Sequence, residues 1–320
     1  MNIQKWKNAH PLLRGVDHVE NNVPCQDYVH TKRSNGVIAI ALADGAGSRK
    51  HSDIGAQLVT KKVCELLTSN FQYYLQISEN QSSTSSKEAY QDLRDVLYKS
   101  LYNEVSEYAY QNSDLTVKDL ASTLLFFAFK NDRYIMGHVG DGVIAGLQSG
   151  MRNDYLETLS HPDNGDQPNV TFFLTESNGK ENLRLYQGKV GNLKGVLLMS
   201  DGPEDVFYDK NEGLHVNTLK VFNNFYAVDE EEYENILTDL LKKNVATYSF
   251  DDLSMNLIYL EQTSLKNMTD DYMQTVFKNV QSKKQIIQRS RSTLYIDDSL
   301  DKMKPDFDTI DELRKYLETL

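Results

Sequence analysis

The alternation of apolar and polar residues predicts a β-hairpin near the start of the chain. The segments DYVHTK and GVIAIALA flank RSNG over residues 27–43, and Asn35-Gly36 is a strong signal for a tight turn. The pattern then changes, because apolar residues recur at helical spacing over residues 52–68 and Ser52 suits a helix N-cap. The pattern therefore predicts a hairpin of two strands, then a turn, then an amphipathic helix.

The same two patterns continue to residue 261. A polar loop is predicted at 78–88, helices at 88–111 and 230–243, and strands within 122–150, 182–187, 194–202 and 253–261. Runs of strands interleaved with a few long helices, rather than strict β-α-β alternation, indicate an α+β layered fold. We place one domain at residues 1–261.

Residues 262–320 form a separate extension in this prediction, mostly helix or loop. Residues 263–320 hold ten basic and ten acidic side chains, so the whole net charge of −12 comes from the preceding part of the chain. An acidic main body argues against nucleic-acid binding. The extension is either a solvated segment that packs outside the domain or a regulatory one.

The amino-acid composition excludes several classes of protein. Hydrophobic residues make up 40% of the 320 residues, which suffices for a large core. No apolar run is long enough to cross a membrane, and the first 15 residues lack the apolar core of a signal peptide. Cys25 and Cys64 are too few for a disulfide framework. We therefore expect a cytoplasmic protein that binds neither membrane nor nucleic acid.

Aspartates stand at the ends of several apolar strands, and this pattern suggests chemistry. The motifs are CQDYV, LADGAG, GHVGDG, LLMSDGPED and SFDDLS, which contain Asp27, Asp44, Asp141, Asp201, Asp205, Asp251 and Asp252. One such aspartate is an ordinary turn residue. If the strand ends converge, however, the carboxylates repel one another unless a cation neutralises them. Oxygen donors favour Mg²⁺ or Mn²⁺ over Zn²⁺.

In this order, the motifs QD, ADGAGS, GD, SDGPED and DDLS resemble those of the metal-dependent serine/threonine protein phosphatases of type 2C, above all their bacterial branch. The resemblance covers about residues 14–261. It implies a four-layer α-β-β-α sandwich with a binuclear Mg²⁺ or Mn²⁺ centre at one end. It also implies that a metal-activated water hydrolyses the phosphoester bond of a phosphorylated protein, in opposition to a serine/threonine kinase.

The resemblance assigns roles to individual residues. Asp44 matches the aspartate that bridges both metals, and Gly45 matches a glycine whose carbonyl binds one of them. Asp201 and Asp251 match the other carboxylate ligands that make the centre catalytic. The remaining matches are Asp27, as a direct or water-mediated ligand, and Asp141 and Asp205, which with Asp201 match a third metal site of many bacterial members.

The chain departs from the family at the proton donor. Many relatives have a histidine after the DG pair, where this chain has Ala46, and many have a glutamate where it has Gln26. The phosphate-binding arginine of eukaryotic relatives also has no clear match. His18 is a candidate for either missing role, although a loop histidine bonded to backbone explains it equally well. Two alternatives stay open: a phosphatase-like binding module with weak or no turnover, and a hydrolase of small phosphorylated metabolites.

Overall fold

The computed structural model describes most of the chain up to residue 260. The described residues are 6–79, 86–150, 154–163, 171–209, 213–215, 218, 221–222 and 230–260. The predicted extension, residues 262–320, lies outside them, as does part of the predicted polar loop at 78–88. No helix among the described residues is long and apolar enough to span a membrane.

The described residues form thirteen short strands and six α-helices. The strands are β1 Trp6–Ala9, β2 Leu12–Leu13, β3 Tyr28–Ser34, β4 Val37–Ala43, β5 Leu124–Lys130, β6 Arg133–Val139, β7 Val143–Gln148, β8 Tyr155–Ser160, β9 Arg184–Lys189, β10 Leu193–Met199, β11 Tyr208–Asp209, β12 Gly213–Leu214 and β13 Leu253–Leu260. The helices are α1 Val16–Glu20, α2 Ser52–Glu79, α3 Ser86–Gln111, α4 Gly179–Asn182, α5 Glu204–Phe207 and α6 Glu230–Leu240. A 3₁₀ turn covers Val117–Leu120, and a π-helical turn, Leu241–Val245, extends α6.

The longer strands form two antiparallel sheets. The first has the order β3-β4-β5-β6-β9, and the second has the order β1-β13-β10-β7-β8 with β2 also paired to β13. The chain crosses from the first sheet to the second twice, between β6 and β7 and between β9 and β10. The GHVGDG segment is therefore a crossover between sheets and not a hairpin turn.

Strand β4 shows why the molecule has four layers. Ile38, Ile40 and Leu42 lie in the core between the two sheets, whereas Ala39 and Ala41 lie in the core that the first sheet shares with α2 and α3. Both faces of β4 are buried, so its sequence is a continuous apolar run. On the far side, Tyr233 and Leu237 of α6 pack against the second sheet. This α-β-β-α arrangement confirms the predicted fold class.

The hairpin and the helix positions agree with the prediction, but α2 is longer than predicted. Asn35 and Gly36 have φ values of 53° and 75°, the left-handed conformation that a tight hairpin turn of this kind requires. Helix α2 continues beyond residue 68 to Glu79, with a non-helical residue at Asn70. It continues because Phe71 and the apolar residues after it extend the buried face.

Candidate metal centre

The predicted site residues converge on one end of the sandwich. Tyr28, at the start of β3, pairs with Ala43, at the end of β4. Met199, at the end of β10, pairs with Val143 and Met255, near the starts of β7 and β13. The residues just outside these strand ends therefore share one edge, and they are Asp27, Asp44, Asp141, Asp201 and Asp251.

Three of these aspartates form a compact group. Carboxylate oxygens of Asp44, Asp141 and Asp201 all lie within 4.8 Å of one another. Asp141 is buried, and Asp44 and Asp201 are half-buried. A group of this kind brings as many as three negative charges close together, where a cation would neutralise them.

Burial and mutual repulsion raise the pKa values of two members of this group, Asp44 and Asp201. The pKa of Asp44 is raised well above its usual range, first by burial and then by the charges of Asp27, Asp201, Asp251 and Asp141. The pKa of Asp201 is raised in the same way, by burial and then by Asp141, Asp251 and Asp27. The five aspartates thus act on one another electrostatically.

Asp27 is the most deeply buried of the five. Burial raises the pKa of Asp27 to about 7, and the charge of Asp252 contributes to this rise. Hydrogen bonds from the hydroxyl groups of Ser254 and Ser200 lower the pKa, but their effect is smaller. The oxygen Oδ2 is buried and accepts no hydrogen bond from any described residue. A buried carboxylate oxygen without a donor is well suited to face a cation.

Backbone contacts hold Asp44 and the loop after it. Asp44 N donates to Thr123 Oγ1 at 2.8 Å, and Thr123 N donates to Asp44 O at 2.8 Å. Gly45 N donates to Gln26 O at 3.1 Å. A Cβ at Gly45 would lie 2.7 Å from the backbone carbon of Ser52, so only glycine permits this approach to α2.

The crossover between β6 and β7 carries Asp141. Gly140, with φ of 111°, precedes it, and Thr171 donates a hydrogen bond to its Oδ2. Asp205, the other residue predicted for a third metal, lies in α5 directly after Glu204 and four positions after Asp201. Its side chain lies outside what the structure describes.

His18 and Asp251 lie at the edge of the site with a residue that the sequence analysis did not assign. Asp251 is exposed, and its Oδ1 accepts a hydrogen bond from Asp252 N at 2.8 Å. His18 Nδ1 lies 2.9 Å from Asp252 Oδ1, and ligand atoms of these three residues lie within 4.8 Å of one another. The two adjacent aspartates of SFDDLS can be read from the sequence. The sequence does not show that the second of them, Asp252, has different contacts from the first.

Other residues near the centre were also missed. Thr123, Thr171, Ser200 and Ser254 contact the aspartates through their hydroxyl groups. Ser200, directly before Asp201, and Ser254, in the DDLS motif, were the two whose positions could have indicated their roles.

The donor set fits a hard divalent cation. The converging side chains offer carboxylate oxygens, which suit Mg²⁺ and Mn²⁺. Neither described cysteine belongs to the compact group, and His18 contacts a different carboxylate. The orphaned oxygen of Asp27 and the raised pKa values of Asp44 and Asp201 fit a site whose carboxylates bind a cation.

Solved structures share the fold. The serine/threonine phosphatase Stp1 from Staphylococcus aureus is 17% identical, with a TM-score of 0.53 over 80% of this chain and 95% of that chain. The serine-threonine phosphatase 2C from Toxoplasma gondii is 15% identical, with a TM-score of 0.55 over 82% and 96%. The catalytic domain of the phosphatase PstP, in complex with two manganese ions, is 18% identical, with a TM-score of 0.51 over 80% and 99%.

One curated sequence matches a short stretch. The putative cysteine ligase BshC of Natranaerobius thermophilus is 29% identical over 113 residues, which are 33% of this chain and 18% of that protein. The chain thus spans less than a fifth of that relative, and no activity follows from the match.

The family is decided by a match that covers most of the chain. The sequence model of the family described as protein phosphatase 2C matches residues 14–246, the segment that contains all the aspartates at the converging strand ends except Asp251. The chain therefore belongs to the protein phosphatase 2C family.

Proposed function

We propose that this protein is a metal-dependent serine/threonine protein phosphatase that works with Mg²⁺ or Mn²⁺. The observation that carries the proposal is the group of Asp44, Asp141 and Asp201, whose carboxylate oxygens lie within 4.8 Å of one another. Such a group is costly unless cations occupy it. The related PstP domain, which shares the fold, holds two manganese ions.

The proposal assigns each candidate ligand. Asp44, Asp201 and Asp251 would supply the carboxylates that hold two ions, Asp44 serving both, and Gly45 would offer its carbonyl oxygen. Asp27 would bind directly or through water. Asp141 and Asp205, with Asp201, would hold a third ion.

When bound, the ions supply a water of lowered pKa and positive charge against the phosphoryl oxygens. The chain's own residues orient the site and move the proton. Thr123 fixes the backbone of Asp44, and Thr171 fixes the carboxylate of Asp141. The side chain of Ala46 is a methyl group, 4% exposed, so the position after Gly45 offers no proton donor. His18 is the proposed donor to the leaving oxygen.

The proposed substrate is a protein phosphorylated on serine or threonine, and a cytoplasmic serine/threonine kinase is the proposed source of that phosphate. Membership of the protein phosphatase 2C family supports this setting. Comparing a phosphorylated peptide with small phosphoesters at equal metal concentration tests the substrate class directly.

Asp44→Asn and Asp201→Asn test the metal centre. Each change removes a charge from the compact group, so the folded protein should be no less stable, while Mn²⁺-dependent hydrolysis of a phosphoserine peptide should fall by at least 100-fold. Calorimetric titration with Mn²⁺ should show loss of the tightest binding in both variants. The matched control is Asp114→Asn, because Asp114 is exposed and lies outside the site.

Two results would contradict the proposal. Activity within a few-fold of wild type in Asp44→Asn at saturating Mn²⁺ would exclude the assigned centre. Tight binding of the phosphopeptide by the wild-type protein without Mn²⁺-dependent turnover would favour the alternative, a phosphatase-like binding module.

A further inference from the structure

Exposed apolar side chains are concentrated in two segments beside the candidate metal centre. Eight large apolar or aromatic side chains are exposed among the described residues, and five of them lie within residues 12–19 or 248–250. A single exposed apolar side chain is ordinary on a protein surface, whereas several together mark a contact surface. We call these five residues the apolar rim, and they are Leu12, Val16, Val19, Tyr248 and Phe250.

Backbone contacts hold the two segments of the apolar rim against each other. Asp17 N donates to Phe250 O at 3.2 Å, and Gly15 N donates to Asp252 Oδ1 at 2.6 Å. A Cβ at Gly15 would lie 2.4 Å from the backbone carbon of Asp251, so the two backbones approach as closely as only glycine permits. The two segments are therefore fixed relative to each other, and a partner that binds them has little ordering cost to offset.

The apolar side chains of α1 do not contribute to the core. None of the residues of this helix is buried. Val16 and Val19 are one helical turn apart, so they are neighbours on one face, and their exposed fractions are 38% and 57%. Phe250, at 63%, is exposed to a similar extent. Burial in the fold does not explain these apolar side chains, whereas burial under a bound partner does.

The apolar rim borders the place where a phosphorylated side chain enters the site. Phe250 directly precedes Asp251, a predicted metal ligand. Leu12 pairs with Ser254, whose hydroxyl hydrogen bonds to Asp27. A phosphoserine that reaches the carboxylates is flanked by its neighbours in the substrate chain, and these neighbours come within reach of the rim.

The charge beside the rim narrows the choice of partner. Asp17 and Glu20 of α1 are exposed. Arg14 is also exposed, but its guanidinium donates to the carbonyl oxygen of His18 at 2.6 Å. The main body of the chain carries the whole net charge of −12. A basic substrate segment is therefore attracted to this face, and an acidic one is repelled.

We propose that the apolar rim is a docking surface for an apolar side chain of the protein substrate, close to the phosphoserine and accompanied by basic residues. The inference rests on the proposed phosphatase function and specifies the substrate class of the same site. Docking adds binding energy away from the reacting phosphate, so it lowers KM for a peptide that reaches the rim. A small phosphoester does not reach the rim and gains nothing from it.

The test varies the substrate and the rim together. The substrates are phosphoserine peptides in a background of serine and lysine, with one leucine placed in turn at each nearby position, and the same peptide without leucine. With Mn²⁺, the wild-type protein should hydrolyse at least one leucine peptide with a kcat/KM about 10-fold above that of the leucine-free peptide, mainly through KM. In Val19→Ser and in Phe250→Ser, this gain should shrink to less than about two-fold.

Tyr155→Ser is the matched control for the rim variants. Tyr155 is 45% exposed and pairs with Gln148, at the end of β7 that is farther from the metal centre, so this variant should keep the full leucine gain. Hydrolysis of p-nitrophenyl phosphate reports the metal centre in every variant, and thermal denaturation reports folding. Glu20→Gln tests the charge, because it should reduce the preference for a lysine over a glutamate background.

Four outcomes would overturn the inference. Equal kcat/KM values for all peptides in the wild-type protein would do so and would leave the proposed function standing, as would a leucine gain that persists in both rim variants. Absence of Mn²⁺-dependent hydrolysis of every peptide would overturn the proposed function as well. A wild-type dimer that becomes monomeric in Phe250→Ser, measured by sedimentation, would assign the rim to a second copy of the chain. Val19 and Phe250 lie in different segments, so one variant decides if the other does not fold.

Discussion

Asp27 makes the metal-free protein sensitive to pH. Its pKa is about 7 in the folded state, mainly because the side chain is buried, and its usual value is about 4. Between these two values the folded state binds more protons than the unfolded state. The free energy of unfolding must therefore fall as the pH rises from about 4 to about 7.

We predict that the metal-free protein, measured by thermal denaturation in EDTA, is less stable at pH 8 than at pH 5 by a few kcal/mol. Mn²⁺ should raise the Tm more at pH 8 than at pH 5, because the ions bind the deprotonated carboxylates. Asp27→Asn should reduce the pH dependence, and the raised pKa values of Asp44 and Asp201 should account for the part that remains. Asp114→Asn, at an exposed site, should keep the wild-type slope, and an unchanged slope in Asp27→Asn would contradict the assignment.

For individual residues, the sequence predicted which aspartates at strand ends converge, and their roles as metal ligands stay a prediction. Asp44 and Asp201 follow apolar runs, and the structure brings their carboxylates together with that of Asp141. Asp252 was not predicted, because its role depends on backbone N–H groups of the distant residues Gly15 and Gln26. A turn aspartate and a buried acceptor of this kind have the same sequence pattern.

The connection between β6 and β7 couples the two sheets to the site. Gly142 lies directly before β7, and a Cβ there would lie 2.5 Å from the carbonyl oxygen of Met199, the last residue of β10. Asp141 precedes this glycine and Asp201 follows Met199 by two positions. The close approach of these two backbones thus places the two carboxylates together.

Gly142→Ala should test this coupling. The added methyl group forces β7 away from β10, so we expect a loss of about 1–3 kcal/mol in the free energy of unfolding and weaker Mn²⁺ binding. Chemical denaturation and calorimetry measure the two effects. Gly47→Ala is the matched control for stability, because a Cβ there meets nothing closer than 3.8 Å. Equal stability of the two variants would show that the approach can relax.

The elements that were predicted and those that were missed differ in their source of stability. Strand β4 and the turn at Asn35-Gly36 carry local signals in the sequence. Strand β1, by contrast, is only WKNA, and it is stabilised by pairing with β13 and by contact of the Trp6 ring with the Phe129 ring, whose centroids lie 4.8 Å apart. Neither partner is near β1 in sequence.

For the whole molecule, three hydrophobic clusters build the four layers from residues between 6 and 260. One lies between the sheets, and one lies between each sheet and its helices. Strand β13 is paired on both sides, with β1 and with β10. The second sheet therefore needs no strand from beyond residue 260 to cover this strand's edges.

Because β13 is paired on both sides, we predict that a chain ending at Glu261 folds and keeps its metal-dependent hydrolysis of p-nitrophenyl phosphate. Its Tm in the presence of Mn²⁺ should lie within a few degrees of the full-length value.

The shortened chain lacks the basic residues Lys283, Lys284, Arg289 and Arg291, whereas the part of the chain that it keeps is acidic. If their segment docks on that acidic surface or on a phosphorylated partner, turnover on a phosphoprotein should change while turnover on the small ester does not. If the shortened and the full-length proteins turn over both substrates at the same rates, residues 262–320 have no regulatory role in this reaction. If the shortened protein is unfolded, the domain extends beyond residue 261.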